Sequence, residues 1–223
     1  MPAPSERGLS LVELLVGLAL GLIIVAAATT LLIGRLQAHR ALLLQSRLMQ
    51  DLRVAADIVT RDLRRAGYWG EASAAPLSAS APDPRDNPFA AISPATQASD
   101  AIAFRFSRDD TQTQDVGIHE QFGFRLRRGV IEMLLGGHWQ ALTDDATLLV
   151  TAFNITPGLQ EIALDGFCAQ PCPAGSTQCP PRQLVRSLAV SISGRAATDP
   201  AVVRTMRSEV RLRNDTVVGR CPS

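Results

Sequence analysis

The chain has 223 residues and carries 22 basic side chains against 21 acidic ones, every basic one an arginine. Without lysine it cannot supply the phosphate-cradling Lys of a P-loop, the amine of a Schiff-base enzyme or the lysine of a pyridoxal enzyme. A net charge of +1 argues against a general nucleic-acid binder, which is normally clearly basic.

The first element is the apolar run Leu9–Ile33, whose one charged side chain is Glu13. About 20 apolar residues in helical form cross the hydrocarbon core of a bilayer, and a helix apolar on all faces is rarely the core of a domain this small. The polar leader before it, MPAPSERG, does not read as a secretory signal. The apolar run is too long, and no small-residue cleavage site follows it. No cysteine stands near its end, so lipoprotein processing is not indicated. Glu13 needs a partner or a proton there, because an acidic group in an inserted helix costs about 2.5–3.5 kcal/mol on insertion scales. The charges near the run conflict with this placement. Arg35 and Arg40 follow it, while Arg7 before it is offset by Glu6. The positive-inside rule alone would put the C-terminal side in the cytoplasm.

The segment Gly8-Leu9-Ser10-Leu11-Val12-Glu13, opening a membrane-length run, resembles the class III signal of type IV pilins and type II secretion pseudopilins. That resemblance implies cleavage by the prepilin peptidase/methylase between Gly8 and Leu9, and N-methylation of Leu9. Most members carry Phe where this chain has Leu9. It also implies that Glu13, the fifth mature residue, pairs with the N-terminal amine of a neighbouring subunit and sets register during subunit assembly. With the cysteines below, it overrides the charge rule and places the C-terminal domain in the periplasm.

The helical pattern continues. Leu44, Leu48, Leu52, Ala55, Val59, Leu63 and Ala66 recur at three- and four-residue steps, with Gly67 as the expected C-terminal cap. One helix over 9–66 would be about 87 Å long. Between Gly34 and Trp69 lie seven Arg and three Asp, read as a solvated face with ion pairs such as Asp57–Arg61. No aromatic residues interleave for base stacking, so no nucleic acid is expected there. The stretch Met49-Gln50-Asp51-Leu52-Arg53, then Thr60-Arg61-Asp62-Leu63-Arg64-Arg65-Ala66-Gly67-Tyr68-Trp69-Gly70, resembles PilW-type minor pilins, relatives of the J-type minor pseudopilin of type II secretion. Physically it is a helix exit, with Gly67 turning the chain and Tyr68 and Trp69 covering the apolar stripe.

Residues 70–100, rich in Ala, Ser and Pro, read as a long irregular connection. Beyond them strands are expected at Ala101–Phe106, Phe122–Arg127, Val130–Leu135, Trp139–Leu142, Leu148–Ile155, Leu159–Leu164, Leu184–Ile192 and Val202–Arg213, with Arg128-Gly129 as a hairpin turn. The segment Glu209–Asp215 also resembles the closing strand of PilW-type proteins. The organisation is thus leader 1–8, anchor half of the helix 9–33, amphipathic half 34–69, connection 70–100 and β domain 101–223. The expected fold class is α+β: a long N-terminal helix packed on a largely antiparallel sheet.

Cys168, Cys172, Cys179 and Cys221 form an even set, three of them in the Pro- and Gln-rich loop 168–183. Two disulfides suit an oxidising periplasm, and three pairings are open. The preferred one is Cys172–Cys179 nested inside Cys168–Cys221. A four-Cys zinc site usually shows paired two-residue spacings, absent here. His39, His119 and His138 are scattered, the last two in turn-like segments. Asp109, Asp110 and Asp115, with Asp144-Asp145, lack an EF-hand's Gly and Glu and read as turn residues. No catalytic motif, metal or cofactor is expected, and no enzyme.

The resemblance implies a minor type IV pilin, a structural subunit of a priming complex at the pilus tip. Its partners would be the prepilin peptidase, other minor pilins, the major pilin, the inner-membrane assembly platform and a tip adhesin. It would sit in the inner membrane as a single-pass protein, then in the pilus. A J-type pseudopilin is the near alternative. A periplasmic binding protein or enzyme on an uncleaved anchor is the alternative of another class.

Overall fold

The computed structural model describes residues 10–70, 87–108, 115–213 and 215–222. The leader, the cleavage pair Gly8 and Leu9, and Asp109 and Asp110 lie outside the described residues. So do Pro76, Pro82 and Pro84 of the connection. The chain divides into two compact units, Met1–Leu44 and Gln45–Ser223.

A single helix, α1, runs over Leu11–Leu63. In the second unit its apolar stripe is buried: Leu48, Leu52, Ala55, Ala56, Val59 and Leu63. Stripe residues recur every three or four positions because a helix returns to the same face at that interval. After Leu63 the turn tightens, with Arg65 N donating to Asp62 O and Ala66 N to Leu63 O. Gly67 then takes φ +77°, a conformation that costs an L-residue roughly 1–2 kcal/mol. Its N–H does not close back on the helix. It donates to Arg105 O at 2.8 Å, and Asn87 Nδ2 donates to Gly67 O at 2.9 Å. Gly67 thus hands the chain to the sheet rather than only capping the helix. The expected aromatic cover is one residue, not two. Trp69 is 3% exposed and Tyr68 42%. Arg61 pairs with Asp62 at 3.6 Å, not with the expected Asp57.

The β region forms two antiparallel sheets where the sequence suggested one. The first runs in order β1 (Ile92–Ser93), β2 (Ala101–Arg105), β3 (Gln121–Arg127), β4 (Val130–Leu135) and β5 (His138–Ala141). The second holds β6 (Leu148–Ala163), β7 (Arg182–Ala196) and β8 (Val203–Arg211), and β9 (Thr216–Val218) also pairs with β7. The expected break between Ile155 and Leu159 is absent: β6 is continuous through Pro157-Gly158. β1 and β9 were not expected. Both are too short for alternation to register; β1 pairs with β2 and β9 with β7. Arg128 and Gly129 have φ 52° and 80°, the pair of positive values that a two-residue hairpin turn requires to match strand twist.

Alternation decides which faces are buried. Ile102, Phe104 and Phe106 point inward from one sheet, and Leu188, Val190, Ile192, Val210 and Leu212 do so from the second sheet and its extension. Both sets join the helical stripe in one core. Phe106 and Phe122 stack with centroids 3.9 Å apart, and the Arg65 guanidinium lies 4.1 Å over Phe106. A fully buried Leu or Phe contributes about 1.5–3 kcal/mol, so the stripe ties this half of the helix to both sheets. The protein is an α+β fold, a long N-terminal helix packed against antiparallel sheets.

Candidate functional site

The N-terminal unit makes the most unusual chemical demand. From Leu11 to Ile33 the large apolar residues of α1 are all exposed, and none of the apolar window that could cross a membrane is buried within the chain. Thr29 Oγ1 donates to Val25 O at 2.7 Å and Thr30 Oγ1 to Ala27 O at 2.8 Å. These back-bonds satisfy the hydroxyls inside the helix, so the run can sit in hydrocarbon or against other apolar helices. Glu13 is in the first turn, where the helix N-terminus favours an acidic group. It has no ion-pair partner among the described residues. Apart from the helix's own nearby backbone, no described atom lies within 4 Å of where a Cβ on Gly17 or Gly21 would be. Their four-residue spacing in an apolar helix lets backbones approach closely. That signal was readable in the sequence and was missed.

At the far end of the second sheet, Cys168 bonds to Cys221 and Cys172 to Cys179. The two bridges close the loop between β6 and β7 and tie the C-terminal segment to it. In this state the sulfurs provide no thiolates, the form in which Cys binds zinc. Phe167, in a 3-10 turn at the start of this loop, is 83% exposed.

The remaining sequence candidates do not converge. His39 is on α1, His119 in a 3-10 turn and His138 at the start of β5 rather than in a turn. Asp144 acts as a turn residue, its Oδ1 accepting from Ala146 N at 2.9 Å. Asp115 is not part of that turn. Glu120 is buried and accepts from Gly117 N at 2.9 Å. A cleft of ≈ 550 Å³ runs between Ala90–Ile92 and the outer parts of β6 and β7, lined mainly by apolar side chains with Arg186 among them. Arg186 Nη1 donates to Ala90 O at 2.8 Å. Burial lowers the Arg186 pKa from its ordinary value and Asp215 opposes that shift; a guanidinium stays charged regardless. Sequence reading missed Arg186, because alternation does not reveal where a strand passes under another segment.

An apolar N-terminal helix that no other described residue covers, continuous with a stripe that anchors an antiparallel β fold, defines a type IV pilin-like minor protein. Residues 4–29 match the model of the prokaryotic N-terminal methylation motif, and the hydrophobic helix that begins within them is typical of membrane-anchored prepilins. Residues 41–212 match the model described as prepilin peptidase-dependent protein B, and the chain belongs to that family. Family and motif together imply processing by prepilin peptidase, and the family is typically structural rather than enzymatic. No curated protein and no solved structure matches the chain.

Proposed function

We propose that the protein is a minor type IV pilin of the PilW type, a structural subunit of a pilus tip complex that primes assembly. The observation that carries this reading is the run Leu11–Ile33, exposed on all sides of α1 with Glu13 unpaired among the described residues. Such a surface is stable only in lipid or in a bundle of like helices. A carboxylate in either setting calls for a cation from outside the chain. The N-terminal amine of a neighbouring processed subunit has that charge, and cleavage between Gly8 and Leu9 would create the same amine on this chain. The protein would first lie in the inner membrane with its β domain in the periplasm, where the disulfides form. It would then pass through the assembly platform to join other minor pilins, the major pilin and a tip adhesin.

Sequencing the N-terminus of the mature protein tests the first step. The expected start is N-methylated Leu9, and an intact Met1 in a peptidase-positive cell sinks the reading. Glu13→Ala tests the second. Cleavage should proceed as in the parent, while recovery of partner pilins by pull-down falls about tenfold, the equivalent of one charge-assisted contact. Undiminished recovery would count against the assembly role.

A further inference from the structure

Among the described residues, half of one edge of β6 has no strand beside it. Ile155 N donates to Ser99 O at 2.9 Å and Ser99 N to Ile155 O at 3.1 Å. The backbone groups of Ile155 therefore face away from β7. Alternation sends those of Pro157, Leu159, Glu161 and Ala163 in the same direction, because the β6–β7 register is unbroken from Ala152 to Ala163. Pro157 falls at such a position, so its missing N–H costs no bond to β7. Ser99 covers the edge at Ile155, and Val150 N is covered by Gly129 O at 2.8 Å. Beyond Pro157 the outward N–H and C=O groups have no backbone partner among the described residues.

Natural edges are normally blunted by charge, proline, bulges or covering segments. Among the described residues the covering devices fall in its first half: the irregularity between Val150 and Ala152, Ser99 and Pro157. The open half is apolar, with Leu159 60% exposed and Ile162 40% exposed. The disulfide-closed loop holds its end, which reduces the ordering cost of adding a strand. From Pro157 to Ala169 the charged side chains are Glu161 and Asp165, both acidic. Glu161 pairs with Arg182 at 3.0 Å, both about half exposed, a pairing of little strength.

We infer that Gly158–Ala163 is a docking edge that takes an extended, apolar and basic segment of another protein as an added strand. Main-chain bonds to Leu159, Glu161 and Ala163 would supply affinity, and alternate side chains would supply specificity. A second copy of this chain fits poorly. Antiparallel self-pairing about the centre of the edge sets Glu161 against Glu161, and like charges directly opposite are destabilising. The partner would place an apolar side chain by Leu159, which lines the ≈ 550 Å³ cleft, and a Lys or Arg towards Glu161 and Asp165. This inference rests on the proposed role as an assembling subunit.

The test uses the full chain in cells, with a photoreactive benzoylphenylalanine replacing Ile162, Thr205 or Val16 in separate strains. Crosslinked peptides are then sequenced. The expected adduct at position 162 is a segment of another protein that alternates apolar residues and contains Lys or Arg, with no such adduct at position 205. Glu161→Pro removes an outward N–H but no bond to β7, and should lower the yield about tenfold. Glu161→Arg keeps the backbone donor, reverses the charge and should also lower the yield. Capture of an acidic segment, a helix or another copy of this chain overturns the inference. So does a yield that neither substitution changes. Silence at position 162 with capture at position 16 overturns the edge alone, and silence at both removes the assembly role with it.

Discussion

The two halves of α1 are built from similar residues and meet opposite fates. Leu20 and Leu52 lie in one continuous helix, yet Leu20 is 56% exposed and Leu52 is fully buried. The difference is in the pattern. Up to Ile33 apolar residues occupy every face; from Leu44 the buried ones keep to one stripe, with arginines and aspartates elsewhere. A stripe can be satisfied by one domain. A helix apolar all round needs a surrounding medium or several partners. The first half is therefore built for an environment outside the chain and the second for the chain's own core.

The strongest way to break this comparison is to shorten the same residue in each half. Leu52→Ala should destabilise the globular unit by up to about 5 kcal/mol, because Leu52 packs in the core against Gly194. Leu20→Ala should leave its unfolding midpoint unchanged, read by thermal melts of the full chain in detergent micelles. Equal effects would mean that the anchor half is buried by its own chain.

The disulfides sharpen the contrast inside the globular unit. Cys168–Cys221 spans 53 residues and Cys172–Cys179 spans 7. Loop-closure entropy assigns about 4 kcal/mol to the first and about 2 kcal/mol to the second. Cys168→Ser with Cys221→Ser should therefore lower the denaturation midpoint more than Cys172→Ser with Cys179→Ser, and neither should alter membrane association. The reverse order would show that the short loop is the one supporting the fold. The smallest effect is expected at Thr143, whose buried Oγ1 accepts from Ile131 N at 3.0 Å. Thr143→Val should cost about 1–2 kcal/mol in the same melts by leaving that N–H unpaired.

Much of this was legible in the sequence. The run around Glu13 announced itself by length and lack of charge, and the stripe from Leu48 to Leu63 by its period. The hairpin at Arg128-Gly129 showed in its turn residues. β6 was misread as two strands because Pro157-Gly158 is a breaker on average. Here the proline faces an open edge, where no ladder bond is lost. Tyr68 was misplaced because adjacent residues at a helix exit point in different directions, and only the path towards Arg105 settles which is covered.

The sequence by itself determined the local and periodic features: an apolar helix in want of an environment, an amphipathic continuation, and alternating strands after it. These depend on neighbours a few residues away, which fixed helical and strand periods bring together. Only the tertiary structure decided that the strands form two sheets, that Gly67 joins the helix to β2, that Arg186 lies in a cleft beneath Ala90, and that no described strand pairs with the β6 edge beyond Pro157. Each depends on contacts between distant residues, and a single strand's alternation does not encode which neighbour its backbone will find.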